Sequence, residues 1–149
     1  MHSFKKETFL VNNATEIFQL ITDVKAYPEF VPWCEGIEIV SKDEEQTIAE
    51  MKINYKGFTE KYRSRIIAKQ EGNNYIVTVE AISGPFKYLN NIWSIESQQH
   101  GCNVNFSIDL EFKSFFIDKM VGLLFLKATE RMIDAFIQKA ESLAENNSI

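Results

Sequence analysis

Histidine and cysteine are scarce in this chain, with two of each among 149 residues. None lies near another at metal-ligand spacing, and Cys34 and Cys102 form no disulfide framework. A reduced, cytosolic setting is therefore expected. Glycine is also thin, with six residues. No glycine-rich loop precedes a helix to hold phosphate, and no Gly-x-Ser-x-Gly nucleophile elbow occurs. No apolar run reaches the ~18 residues that span a bilayer. The opening MHSFKKETFLV lacks the apolar core of a signal peptide and the Arg/Ser pattern of a transit peptide. These absences predict a soluble, cytoplasmic protein without resident metal or cofactor. Positive charge is in deficit too. The net charge of −5 denies the chain the basic footprint of an obligate nucleic-acid binder, so DNA is not an expected partner.

What is present is apolar and aromatic. Hydrophobic residues make up 45% of the chain and phenylalanine alone contributes 12 residues, enough for one well-cored domain over 1–149. Residues 4–11 alternate as a strand. Asn13 then reads as an N-cap with Glu16 three residues on, and Ile17, Phe18 and Ile21 recur at helical spacing up to about Asp23. From Ile37 the period becomes two. It is clearest in CNVNFSIDLEFK, where Cys102, Val104, Phe106, Ile108, Leu110 and Phe112 share a face. Turn signals at Lys56-Gly57, Glu71 to Asn74, Gly84-Pro85 and Gln99 to Gly101 separate the runs. Connections this short join antiparallel neighbours. After Ser114 helical spacing returns and continues to about Glu145, which predicts one helix roughly 45 Å long. Its apolar stripe runs through Val121, Leu124, Phe125, Ala128, Met132, Ala135 and Phe136. The expected class is α+β: a curved antiparallel sheet of about six to seven strands wrapped around that helix, with short N-terminal helical segments. A sheet curled round one helix rarely fills completely, so a cavity between them is expected.

The stretch YPEFVPWCEG, Tyr27 to Gly36, carries two of the three prolines. Two prolines four residues apart predict a rigid irregular connection rather than a helix or strand. Tyr27, Phe30, Val31 and Trp33 hang on it, either as a core plug or as the lip of the cavity.

Chemistry is hard to find. His2 lies at the terminus and His100 in a turn. Cys34 has no recognisable activating partner and reads as a packing residue. Glu60 shares a strand face with Phe58 and Tyr62, so it is either a buried acid, the one candidate for catalysis, or an acid turned outward by strand twist near the Gly57 turn. The expectation is that this is not an enzyme. Binding groups are better represented: Tyr55, Tyr62, Ser64, Tyr75 and Trp93 face inward, each with a polar handle, either as a small-molecule site or as a filled core whose tyrosines reach its edge. On the outward face Lys61, Arg63, Arg65 and Lys69 alternate as a basic stripe, with Glu50 and Glu80 on adjacent strands expected to neutralise it. Between Phe115 and Leu126 the last helix carries more apolar residues than one stripe needs. Phe116, Met120, Leu123 and Leu126 would then contact a membrane, pair two copies of the chain through the long helix, or lie under neighbouring loops.

Three segments, YPEFVPWCEGIEIV, SGPFKYLNNIW and LEFKSFFIDKMVGLLF, resemble in order those of the coenzyme Q-binding family of the START-like, polyketide cyclase/dehydrase superfamily. Bacterial relatives in that family include ribosome association toxins. The resemblance runs from about Phe4 to Ala144 and departs at Val31, where relatives often have Leu. It implies a helix-grip fold with an apolar tunnel, binding of a polyisoprenoid quinone (ubiquinone) or similar lipid as ligand rather than cofactor, and support of respiratory electron transport without turnover. It also implies peripheral contact with the inner face of a respiratory membrane through Met120 to Leu126. The alternative function is binding to a ribosomal subunit that blocks subunit association. Tunnel residues implied by the motifs are Tyr27, Pro28, Phe30, Pro32, Trp33, Gly84, Pro85, Phe86 and Trp93. The inward strand faces and helix stripe add Tyr55, Phe58, Tyr62, Phe106, Leu110, Val121, Leu124 and Phe125.

Overall fold

The computed structural model describes residues 1–147. Strands β1 (His2–Leu10), β2 (Cys34–Lys42), β3 (Thr47–Tyr55), β4 (Phe58–Glu71), β5 (Asn74–Ser83), β6 (Phe86–Gln98) and β7 (Gly101–Phe112) form one antiparallel sheet. Its order is β1-β7-β6-β5-β4-β3-β2. Every neighbour after β2 is joined by a short hairpin, as the turn residues predict. Lys56 and Gly57 both adopt positive φ, the geometry that suits a two-residue hairpin. Register shifts at Cys34/Gly36, Ile39/Ser41, Arg63/Ser64 and Phe86/Tyr88 bend the strands and deepen the curl.

Because β1 and β2 occupy opposite edges, the chain between them must cross the whole sheet. It does so with α1 (Ala14–Thr22), a 3₁₀ turn (Val24–Ala26) and α2 (Tyr27–Phe30). Asn13 caps α1 by accepting the Glu16 N–H at 2.8 Å. Ile17 and Ile21 are buried, and α1 lies on β5 and β6 with Phe18 stacked on Tyr75 at 4.2 Å. The irregular connection expected over Tyr27–Gly36 is in fact a helical turn followed by an extended step. Pro28 is accommodated because it falls in the first turn, where its missing N–H would have had no intrahelical partner.

The long last helix is broken. Helix α3 (Phe115–Gly122) and α4 (Phe125–Asn147) meet at Leu123 and Leu124, whose N–H groups bond back to Met120 and Val121 in tighter three-residue turns. Gly122 is poor helix material, costing ~1 kcal/mol against Ala. The place a side chain would take there is filled by the His2 ring, 2.7 Å from where a Cβ would stand. On α4 the deepest line is Phe125, Thr129, Ile133, Phe136 and Ala140. It is rotated from the predicted stripe, which leaves Ala128, Met132 and Ala135 only part-buried.

Candidate functional site

Two apolar cavities lie between the sheet and α4. One, of about 100 Å³, sits beneath the α1–α2 connection. The other, of about 160 Å³, sits beneath the joint between α3 and α4. Trp33, Tyr62, Leu89, Ile108 and Met132 line both and so form the partition. For scale, an apolar cavity of about 150 Å³ admits one benzene ring. A long isoprenoid chain therefore cannot be enclosed without movement of the walls or protrusion of its tail.

The cavity under the joint has an aromatic wall. Tyr55, Phe58, Tyr62, Phe86 and Leu110 supply the sheet side, and Val121, Leu124 and Phe125 the helix side. The rings lock edge to face: Trp33 on Tyr55 at 5.5 Å, Tyr62 on Phe86 at 5.0 Å and Phe58 on Phe112 at 5.7 Å. Gly84 makes this possible, since a Cβ there would stand 2.5 Å from that of Tyr62. Tyr27 and Trp93 line the other cavity, and Phe106 joins Trp93 beside a void of only about 20 Å³. Pro28, Phe30, Pro32, Gly84 and Pro85 line none of these spaces. Pro28 points to solvent because the helical turn directs its apolar edge through Tyr27 and Phe30, which pack against Phe136, and Pro32 is exposed on the step after the turn.

No charged side chain lines either larger cavity among the described residues. Glu60 is only part-buried and lines neither, although it shares the inward register with Phe58 and Tyr62. Burial pushes the Tyr27 and Tyr62 phenols well above their ordinary range, so both stay protonated near neutrality. Burial likewise pushes the Cys34 thiol up to about 11, which removes the thiolate a nucleophile would need. Among the described residues no His, Cys, Asp and Glu cluster could hold a metal. Sequence reasoning missed Asn91 as a wall residue. Its signal was its place two residues from both Leu89 and Trp93, on the inward face of β6.

Outside, Phe115, Phe116, Leu123 and Leu126 are 81, 76, 87 and 57% exposed, and Met120 is 44% exposed. Among the described residues no loop covers them, so of the three alternatives burial under neighbouring loops fails. No helix among the described residues is long and apolar enough to cross a membrane. The one acid in α3, Asp118, turns inward: its Oδ1 accepts the Phe112 N–H at 2.8 Å and meets His2 Nε2 at 3.1 Å. These contacts, the backbone bond first, hold its carboxyl below the usual carboxylate range. A depressed folded value means this stabilisation is complete above about pH 4 and is lost as pH falls through the folded value. Asp118→Asn should flatten the fall of stability below about pH 4 while costing ~0.5–1 kcal/mol at pH 7, read by urea denaturation across pH.

Residues 13–137 match the family described as polyketide cyclase/dehydrase and lipid transport. The chain belongs to this family. The ribosome association toxin RatA of Rickettsia prowazekii is 38% identical over 144 residues, covering 96% of this chain and 99% of its own. The mitochondrial coenzyme Q-binding protein COQ10 homolog B of Xenopus laevis is 25% identical over 129 residues, covering 84% of this chain and 52% of its own. A START superfamily protein of Mycobacterium smegmatis superposes with a TM-score of 0.79 at 19% identity, covering 96% of this chain and 99% of its own. That likeness confirms the START-like α+β fold expected from the sequence. The family's description spans cyclases, dehydrases and lipid carriers, so membership alone does not divide catalysis from binding.

Proposed function

We propose that this protein is a ribosome-association factor of the RatA kind. The reading rests on the 38% identity to that toxin, coextensive with both chains. A surface that could serve it is the outward face of β3 and β4. There Lys61 faces Lys52 across the register, and Arg63 and Arg65 follow at alternate positions. Arg63 is tied to Glu50 at 3.1 Å and Arg65 to Glu80, as the spacing predicts, whereas Lys61 has no ion pair among the described residues. With a net charge of −5, contact with ribosomal RNA would need a local basic patch, and this stripe is one. Co-sedimentation with isolated ribosomal subunits at stepped salt tests it. Binding should fall steeply with salt as counterions are released. The triple variant Lys61→Glu, Arg63→Glu, Arg65→Glu should bind at least ~10-fold more weakly. Equal pelleting of variant and wild type would remove this surface, and no pelleting of either would remove the function.

A second reading is carried by the cavities. It is the non-enzymatic binding of a polyisoprenoid quinone or similar lipid by a single START-like domain at the inner face of a respiratory membrane. Its support is an interior without charge, whose phenols and thiol are held protonated, beside an exposed apolar helix. Phe116, Met120, Leu123 and Leu126 would meet the bilayer while α3 gives access to the cavity beneath it. The two readings use different faces of the molecule, so one does not preclude the other. Organic extraction of the protein purified from quinone-replete cells, followed by mass spectrometry, should recover an isoprenoid lipid. Protein that carries none, and takes none up from vesicles, would end this second reading.

A further inference from the structure

His2 touches three elements around the joint between α3 and α4. Pairing with Leu110 on β7 fixes its backbone in the edge strand β1. Its Nε2 lies 3.1 Å from Asp118 Oδ1 and 3.0 Å from the Asp118 carbonyl oxygen. Both oxygens are acceptors, so Nε2 carries the proton and donates to them. The same ring packs on Phe125 at 5.6 Å and fills the place a Gly122 side chain would take. Little else holds α3. None of its residues is buried, and its inner side rests on the half-buried Ile117 and Val121. The bond from the Phe112 N–H to Asp118 spans six residues and fixes only the start of the helix. Its far end passes into the three-residue turns at Leu123 and Leu124. An element with so few buried side chains opens readily unless specific bonds retain it. Val121, Leu124 and Phe125 meanwhile roof the cavity beneath the joint.

We infer that His2 is the latch of a gate: it holds α3 down over this cavity, and its release lets α3 lift by flexing at the Leu123–Leu124 turns. Gly122 serves the latch twice. Its missing side chain seats the ring, and its poor helix propensity weakens the chain at the point that must flex. Opening is then governed from the edge strand of the sheet, since β1 carries the latch and lines no part of this cavity. What passes the gate rests on the reading that the cavities hold a lipid; the latch itself does not.

Amide hydrogen exchange read by mass spectrometry, on the full chain without ligand, tests the latch. His2→Ala should speed exchange over residues 115–124 by ~10-fold or more, as loss of a hydrogen bond to a charged group predicts. Residues 133–140 of α4 should keep the wild-type rate. Gly122→Ala should also speed exchange over 115–124, although alanine is the better helix former, because its methyl must displace the ring. In the double variant the seat is empty, so the methyl goes in unopposed and α3 should be better protected than in His2→Ala. Equal exchange over 115–124 in wild type and His2→Ala would overturn the latch, as would added protection in Gly122→Ala with His2 present. Stopped-flow quenching of tryptophan fluorescence by decylubiquinone then reads the gate. His2→Ala should raise entry and exit rates together by about tenfold with affinity little changed, as removal of a barrier requires. Weaker affinity at an unchanged entry rate would make His2 part of the binding wall and overturn the gate. If decylubiquinone does not bind wild-type protein, the lipid reading fails, and the exchange rates still decide the latch.

Discussion

Phe136→Ala should destabilise the protein by ~3–5 kcal/mol, a large fraction of the stability of a domain this size. The ring is 6% exposed and lies within 5.4 Å of Tyr27, 5.1 Å of Phe30 and 5.0 Å of Trp93, centroid to centroid. It therefore ties α4 to the α2 turn and to the middle of the sheet at one point. Its removal leaves a void between three rings that cannot all close on it, so the cavity penalty adds to the lost transfer energy. Urea denaturation should show a lower midpoint with an unchanged slope. Phe116→Ala is the matched control: that ring is 76% exposed and its loss should stay within ~0.5 kcal/mol. A loss below ~1 kcal/mol for Phe136→Ala would mean that α4 is not clamped to the sheet at this point.

Trp33→Ala should show the opposite balance, with a large effect on ligand and a smaller one on the fold. Trp33 is half-buried, stands edge-on to Tyr55 and lines both cavities. Its backbone is secured independently, since its carbonyl accepts the Asn54 N–H at 3.0 Å. Truncation thus removes the partition while leaving the edge of the sheet paired. Quinone transfer from vesicles should weaken by ~1–3 kcal/mol, the worth of a closely packed ring face. Chemical denaturation should report a smaller loss than Phe136→Ala. A strongly destabilised variant whose folded fraction still binds normally would make Trp33 a packing residue and not part of a site.

The local features of this fold were readable because each depends on neighbours in sequence. Alternation in CNVNFSIDLEFK places Cys102, Val104 and Phe106 on the buried face, and all three are buried. Asn13 caps α1 because an N-cap needs only a side-chain oxygen and an N–H three residues on. Arg63 and Arg65 find Glu50 and Glu80 because one hairpin register fixes the next. Most residues expected to line the tunnel do line a cavity, since facing inward follows from the same alternation. Pro28 does not, because its direction depends on a helical turn where the two prolines predict none.

The sequence by itself determined the strands, their hairpin order, the Asn13 cap and the apolar excess between Phe115 and Leu126. Tertiary structure alone decided three further things. The break between α3 and α4 leaves the helical spacing of Val121, Leu124, Phe125 and Ala128 intact, so no pattern betrays it. It is seen only with the His2 ring of β1 seated against Gly122, some 120 positions away in the chain. Asp118 looks in sequence like an exposed helix acid, yet it is turned inward by His2 and the Phe112 backbone. Ser64 on β4 and Asn91 on β6 line one cavity although 27 positions separate them in the chain. Periodicity reports which face a side chain takes. Where two faces fail to meet, and what polar group is left looking into the gap, depends on side-chain volumes summed across strands, which no single stretch of chain contains.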